Sequence, residues 1–255
     1  MSDYVLDSRA AQAAGRFDGL SALFDRSTDH HFEAIGVGPG WRCWEVGAGG
    51  PGVPRLLVER GGTVLATDIE TGLLDGVPAR VEVLRHDVRD EPPGSGFDLI
   101  HARLVLAHLP ERAAVLRRLT GALRPGGWLF VEDVDTGLAP TAFLDPLTDI
   151  EHLGNKIRAG FIGLLGHRGV DGAFGRKLPR LLRACGLVDI VADGRVTLEH
   201  PGGAALERAN IDQVRDALTD LGYTTADEID TYLSVLDDLT PAGPPLISAY
   251  GRRPG

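Results

Sequence analysis

The chain has 255 residues, of which 43% are hydrophobic and 24% charged, proportions that suit a soluble globular protein with a sizeable core. Its formal net charge is −10 and it has no run of Lys or Arg, which argues against nucleic acid or an anionic membrane surface as a partner. No stretch approaches the roughly 18 apolar residues of a membrane span. The acidic, polar start Met1-Ser2-Asp3-Tyr4 is unlike a signal peptide, so we expect a cytoplasmic protein.

The first half of the chain is predicted to begin with a helix and then to alternate between strands and helices. Residues 1–35 form a helical lead-in that includes RAAQAAGRFDGLSALFD. Apolar runs rich in β-branched residues predict five strands, at 41–46, 63–68, 81–85, 97–102 and 128–133. Helical patterns lie between them at 54–62 and 110–123. This alternation predicts an α/β fold in which a parallel sheet is covered by helices on both faces.

The second half is richer in helix. The stretch 142–169 contains a helix with an apolar stripe, which we expect to be core rather than substrate contact: Ile150, Leu153, Ile157, Phe161, Leu164 and Leu165. Further helices are predicted at 176–187, where Gly186 ends the helix, and within 203–238. Strands are predicted at 187–196 and 245–253.

These elements predict a single domain. Its cofactor-binding core is expected at 41–135. The lead-in 1–35 and two helical inserts, at 136–185 and 197–243, are expected to form a lid over the edge of the sheet. The chain has no internal repeat, exposed heptad pattern or charged tail that would favour a pure interaction module.

The cysteines and most histidines give no sign of a metal centre. Cys43 and Cys185 lie in apolar stretches without metal-ligand spacing, so we predict free, packed thiols. The acids and histidines likewise show no convergent ligand spacing, and we expect metal-independent chemistry. Surface, capping or packing roles are expected for five histidines of the helical segments and the loop after the fourth strand, namely His30, His31, His108, His152 and His167.

The stretch WRCWEVGAGGPG, residues 41–52, contains a glycine loop that fits two cofactor motifs. Gly47-x-Gly49-x-x-Gly52 is the dinucleotide fingerprint, whereas Glu45-x-Gly47-x-Gly49 suits a methyl-donor site. Asp68 follows 21 positions after Gly47, at the end of the next strand, where a carboxylate accepts hydrogen bonds from ribose hydroxyls. Both candidate cofactors carry a ribose, so these residues do not separate them.

The start of the helix after the loop favours S-adenosylmethionine. A pyrophosphate binds backbone N–H groups at a helix N-terminus, but Pro51 and Pro54 fall in this first turn and have none. S-adenosylmethionine has no phosphate, and Glu45 suits its ammonium side. Asp87 follows the third strand, where it can accept from the adenine amine while Val88 offers its N–H to the ring; a turn aspartate is the alternative interpretation.

With these residues the chain resembles the class I S-adenosylmethionine-dependent methyltransferases. The matching motifs occur in order as WEVGAGGPG, LATDIE, RHDV, FDLIHARLVLAHLP and LRPGGWLFVED, between residues 41 and 133. The flanks RFDGLSALFD and PLISAYGRRP look like an actinobacterial group that acts on small molecules. The resemblance implies a Rossmann-like, doubly wound sheet of seven strands in the order 3-2-1-4-5-7-6, with the last strand antiparallel. It also implies that Ala48 and Ile69 join the glycines and Asp68 at the cofactor.

Chemistry is expected where the strands end, because ligands of open α/β sheets bind beyond the carboxyl ends of the strands. The methionine end of the cofactor is predicted between the first and fourth strands, next to His101 and Ala102. His101 is the candidate general base for an acceptor hydroxyl; the alternative is that it holds the loop by hydrogen bonds. In similar enzymes the N-terminal segment folds over the cofactor, and Arg16 is the candidate partner of its carboxylate, unless it lies on an ordinary surface helix.

The leading hypothesis is methyl transfer from S-adenosylmethionine to an O, N or C atom of a small molecule, in secondary metabolism, with S-adenosylhomocysteine as product. One alternative is a protein that binds the same cofactor but catalyses a non-methylating reaction such as a cyclisation. A more remote alternative is an NAD-dependent oxidoreductase. The sequence does not distinguish a monomer from a homodimer, and it does not identify the acceptor.

Overall fold

The computed structural model describes residues 13–255, so the part of the predicted lead-in before Ala13 lies outside the described residues. The strands are β1 Arg42–Val46, β2 Thr63–Asp68, β3 Val81–Arg85, β4 Phe97–Arg103, β5 Leu123–Val134, β6 Val188–Arg195 and β7 Leu246–Arg252. The helices are α1 Ala13–Ile35, α2 Gly52–Glu59, α3 Arg112–Ala122, α4 Asp149–His167, α5 Leu178–Ala184, α6 Pro201–Asp220 and α7 Ala226–Val235. None of the helices in this described range is both long and apolar enough to cross a membrane.

The strands form one seven-stranded sheet in the order β3-β2-β1-β4-β5-β7-β6, which confirms the predicted topology. β1 pairs in parallel with β2 and with β4, and the parallel pairing continues from β2 to β3 and from β4 to β5. β7 is antiparallel to β5. The fold class is therefore the Rossmann-like α/β architecture, in which the carboxyl ends of β1, β2, β4 and β5 share one edge of the sheet.

β5 begins five residues earlier than the predicted strand at 128–133. Its register against β4 shifts between Phe97 and Leu99. Gly126 has a φ of +77°, and a Cβ on Gly127 would lie 2.7 Å from the carbonyl oxygen of Phe97. The two backbones approach closely at this irregularity, so glycine is required here. These glycines make the segment before residue 128 look like a turn in the sequence, although the chain already pairs with β4.

The described residues group into two compact units. The sheet unit contains 24–134, 174–194 and 246–255, and therefore all seven strands apart from Arg195, the last residue of β6. The helical unit contains 13–23, 135–173 and 195–245. It gathers the start of α1 with most of both predicted inserts, although α5, inside the first insert, belongs to the sheet unit. The predicted role of these segments as a lid stays a prediction.

The sheet unit has a core between the second half of α1 and one face of the sheet. Phe32 and Phe130 are fully buried and meet edge to face, with ring centroids 5.7 Å apart. Cys43 lies in the same cluster and is a free buried thiol, as predicted, whereas the free Cys185 is half-buried. Alternating strand residues point to opposite faces, so Trp44 lies on the other face, where its Nε1 donates to Thr67 Oγ1 at 2.9 Å.

The helical unit has its own core, in which the stripe predicted on α4 packs against α6 and α7. Ile157 and Leu164 are fully buried beside Leu218 and Tyr232, with Ile150, Leu153 and Phe161 packed against this cluster. Thr148 caps α4 through a capping box with Glu151. His152 and His167 are exposed on the same helix, which confirms the surface roles expected for them.

Candidate functional site

The glycine loop leaves β1 at the carboxyl edge of the sheet and turns through two left-handed residues. Gly47 and Gly49 have φ values of +63° and +62°, a region in which side chains with a Cβ are strained. The N–H of Ala48 donates to the carbonyl of Thr67 at 3.0 Å, which ties the loop to β2. The backbone therefore requires glycine at these two positions.

A second segment closes over Gly47 from the end of β4. A Cβ on Gly47 would lie 2.4 Å from a methyl carbon of Val105. Leu104, the residue before Val105, has a φ of +60°, and its N–H donates to the carbonyl of Glu132 at 2.9 Å. A left-handed non-glycine residue stores strain of about 1–3 kcal/mol, and such residues concentrate at functional sites. The strained turn at Leu104 thus sets Val105 against the loop.

Asp68 is brought directly to the loop, as its spacing predicted. Its carboxylate accepts from the N–H of Gly49 at 2.9 Å and from the N–H of Glu70 at 2.9 Å. Burial raises the pKa of Asp68, while these backbone hydrogen bonds act in the opposite direction. The N–H of Ile69 is a third backbone donor. A carboxylate has about four acceptor sites, so Asp68 retains capacity for a ligand hydroxyl group.

The start of α2 has few donors for a phosphate. Pro51 is the N-cap residue, Gly52 and Val53 follow, and Pro54 takes the third helical position. Neither proline has an N–H, and the N–H of Arg55 already donates to the carbonyl of Pro51 at 3.1 Å. The helix begins at Gly52, two residues before the predicted start at 54, and its N-terminus is poorly suited to a pyrophosphate.

Asp87 lies further along the same edge. The N–H of His86 donates to the carbonyl of Asp68 at 2.9 Å, so the chain after β3 runs beside the end of β2. The Asp87 carboxylate accepts from the guanidinium of Arg89, with an Nη2–Oδ2 distance of 2.6 Å. This hydrogen bond is the main reason that the pKa of Asp87 is lowered. Asp87 is thus an ionised acceptor, and its role towards adenine, with Val88, stays a prediction.

Three charged groups meet at the ends of β1, β4 and β5, on the face of the sheet covered by α1. His101 is fully buried, with Nδ1 2.6 Å from Glu45 Oε2 and Nε2 3.2 Å from Glu132 Oε2. Both carboxylates are also buried. The two ring nitrogens are therefore each occupied by a carboxylate oxygen.

Each of these contacts needs one proton between nitrogen and oxygen. Burial alone would lower the pKa of His101, but Glu45 and Glu132 outweigh it and raise that pKa to about 9. Burial also raises the pKa of Glu45. Both shifts keep a proton in the contact between Glu45 and His101. While that proton lies on Nδ1 and the other on Nε2, His101 has no lone pair to accept a substrate proton, so this arrangement disfavours the general-base role predicted for it.

The surrounding side chains extend this group into a larger network, which we call the charged cluster. Thr28 on α1 donates to Glu132 Oε2 at 2.6 Å, and Ser248 on β7 donates to Glu132 Oε1 at 2.6 Å. Arg103 donates to Thr28 Oγ1 at 3.0 Å and to Asp25 Oδ1 at 2.8 Å. The charged cluster consists of Asp25, Thr28, Glu45, His101, Arg103, Glu132 and Ser248.

The other residues predicted to bind the cofactor make no hydrogen bond to the glycine loop or the charged cluster among the contacts described above. Ala102 is buried on the opposite face of β4 from His101, and Ile69, directly after Asp68, is 41% exposed. Arg16 lies in the helical unit, where it is buried and stacks on Phe17 with its guanidinium carbon 4.6 Å from the ring centroid. Its burial excludes the surface-helix alternative, and its role towards a cofactor carboxylate stays a prediction.

Two other polar residues are buried near these strand ends. His31 is buried rather than solvated: its ring meets Phe130 edge-on, and Nε2 lies 3.3 Å from Asp193 Oδ1. Asp133, at the end of β5, is also buried and accepts from the N–H of Ala107 at 3.0 Å, which fixes the turn after β4. Among residues 13–255, no group of three or more His, Cys, Asp and Glu side chains is arranged to hold a metal ion.

The sequence interpretation missed Glu132, Thr28 and Ser248. A signal for Glu132 was available: strand alternation places it on the same face as Phe130, and a carboxylate on an apolar face requires partners. Thr28 follows Phe24 and precedes Phe32 at four-residue spacing, which places it on the buried face of α1. Ser248 depends on the antiparallel register of β7, which no local pattern gives.

Comparisons with known proteins agree with this architecture. Residues 44–129 match the family model described as a methyltransferase domain. Methyltransferase str3 of Strobilurus tenacellus is 29% identical over 191 residues, which is 72% of this chain and 66% of that protein. A ubiquinone biosynthesis O-methyltransferase of Xanthomonas campestris pv. campestris is 29% identical over 166 residues, or 61% of this chain and 68% of the relative.

Solved structures show the same fold. Phosphoethanolamine N-methyltransferase 2 of Haemonchus contortus, solved with phosphomonomethylethanolamine and S-adenosylhomocysteine, superposes with a TM-score of 0.56 at 17% identity. The match covers 90% of this chain and 53% of that one. The chain is thus similar in fold to methyltransferases, while it spans just under two thirds of the length of the str3 protein.

Proposed function

We propose that the protein is an S-adenosylmethionine-dependent methyltransferase that acts on a small molecule. The observation that carries the proposal is the paired geometry of Gly49 and Asp68. A left-handed glycine loop donates directly to a buried strand-end carboxylate that has acceptor capacity left for a ribose hydroxyl. Because Pro51 and Pro54 remove N–H groups at the start of α2, the site suits a ribose-bearing ligand without phosphates.

S-adenosylmethionine, when bound, supplies the methyl group on a sulfonium that is already a good leaving group. The residues of the chain then have to align the acceptor with the methyl group and exclude water from both. Asp68 and the glycine loop hold the nucleoside, and Asp87 with Val88 is proposed for the adenine. Ala48, Ile69 and Ala102 line the same edge, and Arg16 is proposed for the carboxylate. The matches to methyltransferases support this assignment.

For the methyl acceptor we propose only that it is a small molecule. Relatives named for small-molecule methylation support a small molecule, and the net charge of −10 is unsuited to a highly anionic polymer. A place among actinobacterial enzymes of secondary metabolism is a further proposal, which rests on the flanking motifs. The absence of a nucleic-acid partner and a cytoplasmic location are proposed on the same composition.

Calorimetric titration with S-adenosylhomocysteine tests the cofactor assignment, and NADH serves as the competing ligand. We expect binding of S-adenosylhomocysteine and none of NADH. Asp68→Asn should weaken binding by about tenfold or more, since a hydrogen bond to a charged group is worth about 1.5–3 kcal/mol. Asp75→Asn, at an exposed acid beyond the same strand, is the matched control and should bind like the wild type.

Product analysis separates methyl transfer from the alternative. Incubation with S-adenosylmethionine and a panel of small acceptors should release S-adenosylhomocysteine together with a product heavier by one methyl group. Acceptor conversion without S-adenosylhomocysteine would instead favour a non-methylating reaction such as a cyclisation. Heat from NADH, with none from S-adenosylhomocysteine, would overturn the proposed cofactor.

A further inference from the structure

The charged cluster lies directly behind the glycine loop. Glu45 is the second residue before Gly47, so the carboxylate that meets His101 belongs to the strand from which the loop departs. On the other side of the ring, Glu132 accepts from His101, Thr28 and Ser248 at 3.2, 2.6 and 2.6 Å. One imidazole therefore joins the ends of β1 and β5 across β4.

His101 is enclosed on every side and cannot reach a bound acceptor. Its ring is packed against Phe32 and Phe130, with ring centroids 5.2 and 4.7 Å away, and it has no exposed surface. Glu45 on β1 and Glu132 on β5 contact the ring directly, and Thr28 on α1 and Ser248 on β7 contact it through Glu132. Arg103 on β4 and Asp25 on α1 lie further along the same hydrogen-bond chain, beyond Thr28.

We propose that His101 is a positioning residue for the cofactor site: it holds the end of β1 through Glu45 and the end of β5 through Glu132, and only while both ring nitrogens carry a proton. If one proton is lost, a nitrogen lone pair faces a carboxylate oxygen in one of the two contacts. That contact is repulsive and opens, which releases the strand end on which the glycine loop depends.

This inference rests on the proposed function, and it differs in its consequences from a general-base role. A base acts on the acceptor, so its loss lowers kcat and leaves cofactor affinity unchanged. A residue that positions the loop affects cofactor affinity first. In addition, the effect of a positioning imidazolium disappears as the pH passes the pKa of His101, which is raised to about 9.

The experiment measures the affinity for S-adenosylhomocysteine by calorimetry from about pH 6.5 to about pH 10. We compare the wild type with His101→Gln, and His152→Gln, at an exposed histidine of α4, is the matched control. Wild-type affinity should fall as the pH rises through about 9. His101→Gln should bind about tenfold more weakly near neutral pH, equivalent to one pKa unit of lost interaction, and without that pH dependence. His152→Gln should follow the wild type.

A conservative variant sharpens the test. Glu45→Gln keeps an acceptor for the ring but removes a negative charge, so it should move the midpoint of the affinity profile to lower pH. If His101→Gln does not fold, the comparison of Glu45→Gln with the wild type carries the test. Nitrogen-15 NMR of the wild type adds a ligand-free measurement, in which both ring nitrogens should be protonated near pH 7.

The outcomes separate this inference from the function on which it rests. Wild-type protein that binds no S-adenosylhomocysteine at any pH would overturn the proposed function, and this role with it. Wild-type binding that His101→Gln reproduces in strength and pH dependence would overturn the positioning role alone. A ring nitrogen found unprotonated near pH 7 would likewise contradict it, whether or not the cofactor binds.

Discussion

Both units bury charged side chains, but the charges are balanced in different ways. In the helical unit, Arg158 and Glu207 form a forked pair, with Nε and Nη2 2.8 and 2.6 Å from Glu207 Oε2, and Nη2 also donates to the carbonyl of Ala242 at 3.3 Å. One permanent cation is matched by one anion. In the sheet unit, one imidazole is shared by Glu45 and Glu132, so the balance depends on a proton.

The comparison indicates which buried side chains keep their charge at every pH and which change their protonation as the pH changes. Arginine stays protonated at every pH of interest, and Glu207 raises the pKa of Arg158 further against the effect of burial. Histidine changes its charge near physiological pH. The pair in the helical unit should therefore be sensitive to mutation but not to pH, whereas the charged cluster should be sensitive to both.

The largest effect is expected when the fixed pair is broken. Glu207→Ala leaves the buried Arg158 without its anion and should lower the free energy of unfolding by about 3–5 kcal/mol. The double variant Arg158→Met with Glu207→Met replaces both charges with apolar groups and should recover most of the loss. Urea unfolding measures both, and a single variant within about 1 kcal/mol of the wild type would contradict this account.

A smaller loss is expected from the charged cluster. Glu132→Gln replaces a carboxylate that accepts from His101, Thr28 and Ser248, and places an amide N–H₂ against one of these donors. It should lower the free energy of unfolding by about 1.5–3 kcal/mol, the range for hydrogen bonds to a charged group. Ser248→Ala removes one donor only and should cost less. Equal losses for the two variants would contradict the central place of Glu132.

The pH dependence should differ between the two units. The pKa of His101 is about 9 in the folded protein, against about 6.5 in the unfolded chain. Between these values the folded state binds more protons, so the free energy of unfolding falls as the pH rises, by at most about 1.4 kcal/mol per pH unit. The contribution is complete below about pH 6.5 and is lost as the pH passes about 9.

Denaturation at several pH values checks this expectation. His101→Gln should flatten the decline between about pH 6.5 and about pH 9, while Glu207→Ala should lower stability by the same amount at each pH. A decline that persists unchanged in His101→Gln would assign it to another group.

The smallest effect is expected from a pair at the surface. Arg252 on β7 donates to Asp189 at 2.8 Å, but the two side chains are 41% and 54% exposed. Solvent screens such a pair, and Arg252→Gln should change the free energy of unfolding by less than about 1 kcal/mol. A loss comparable to that of Glu132→Gln would show that burial does not decide the strength of these pairs.

The sequence predicted the fold well because the strand signals are local. The runs at β1, β2, β3 and β4 are short, apolar and bounded by turn residues, and the expected order of seven strands is present. The start of β5 was missed because LRPGG has the composition of a turn, although its backbone still pairs with β4. Local composition cannot report a pairing that depends on a distant strand.

The part of the candidate site that depends on a local motif was predicted, and the part that depends on distant contacts was not. Gly47, Gly49 and Asp68 follow a motif with fixed spacing, and the structure places them in contact. The protonation of His101 could not be predicted, because it depends on Glu45 and Glu132, which lie 56 and 31 positions away along the chain. Thr28 approaches from α1, 104 positions from its acceptor Glu132. These contacts exist only after the sheet has assembled.

The close fit of Val105 against Gly47 has a consequence for protein engineering. Since the methyl group of Val105 occupies the space that a Cβ at position 47 would need, the two positions act as one steric element although 58 residues separate them. Transplanting WEVGAGGPG into another scaffold would carry over only half of that element. A mutant library of this protein should vary positions 47 and 105 together, since variation of either one alone samples mostly collisions or voids.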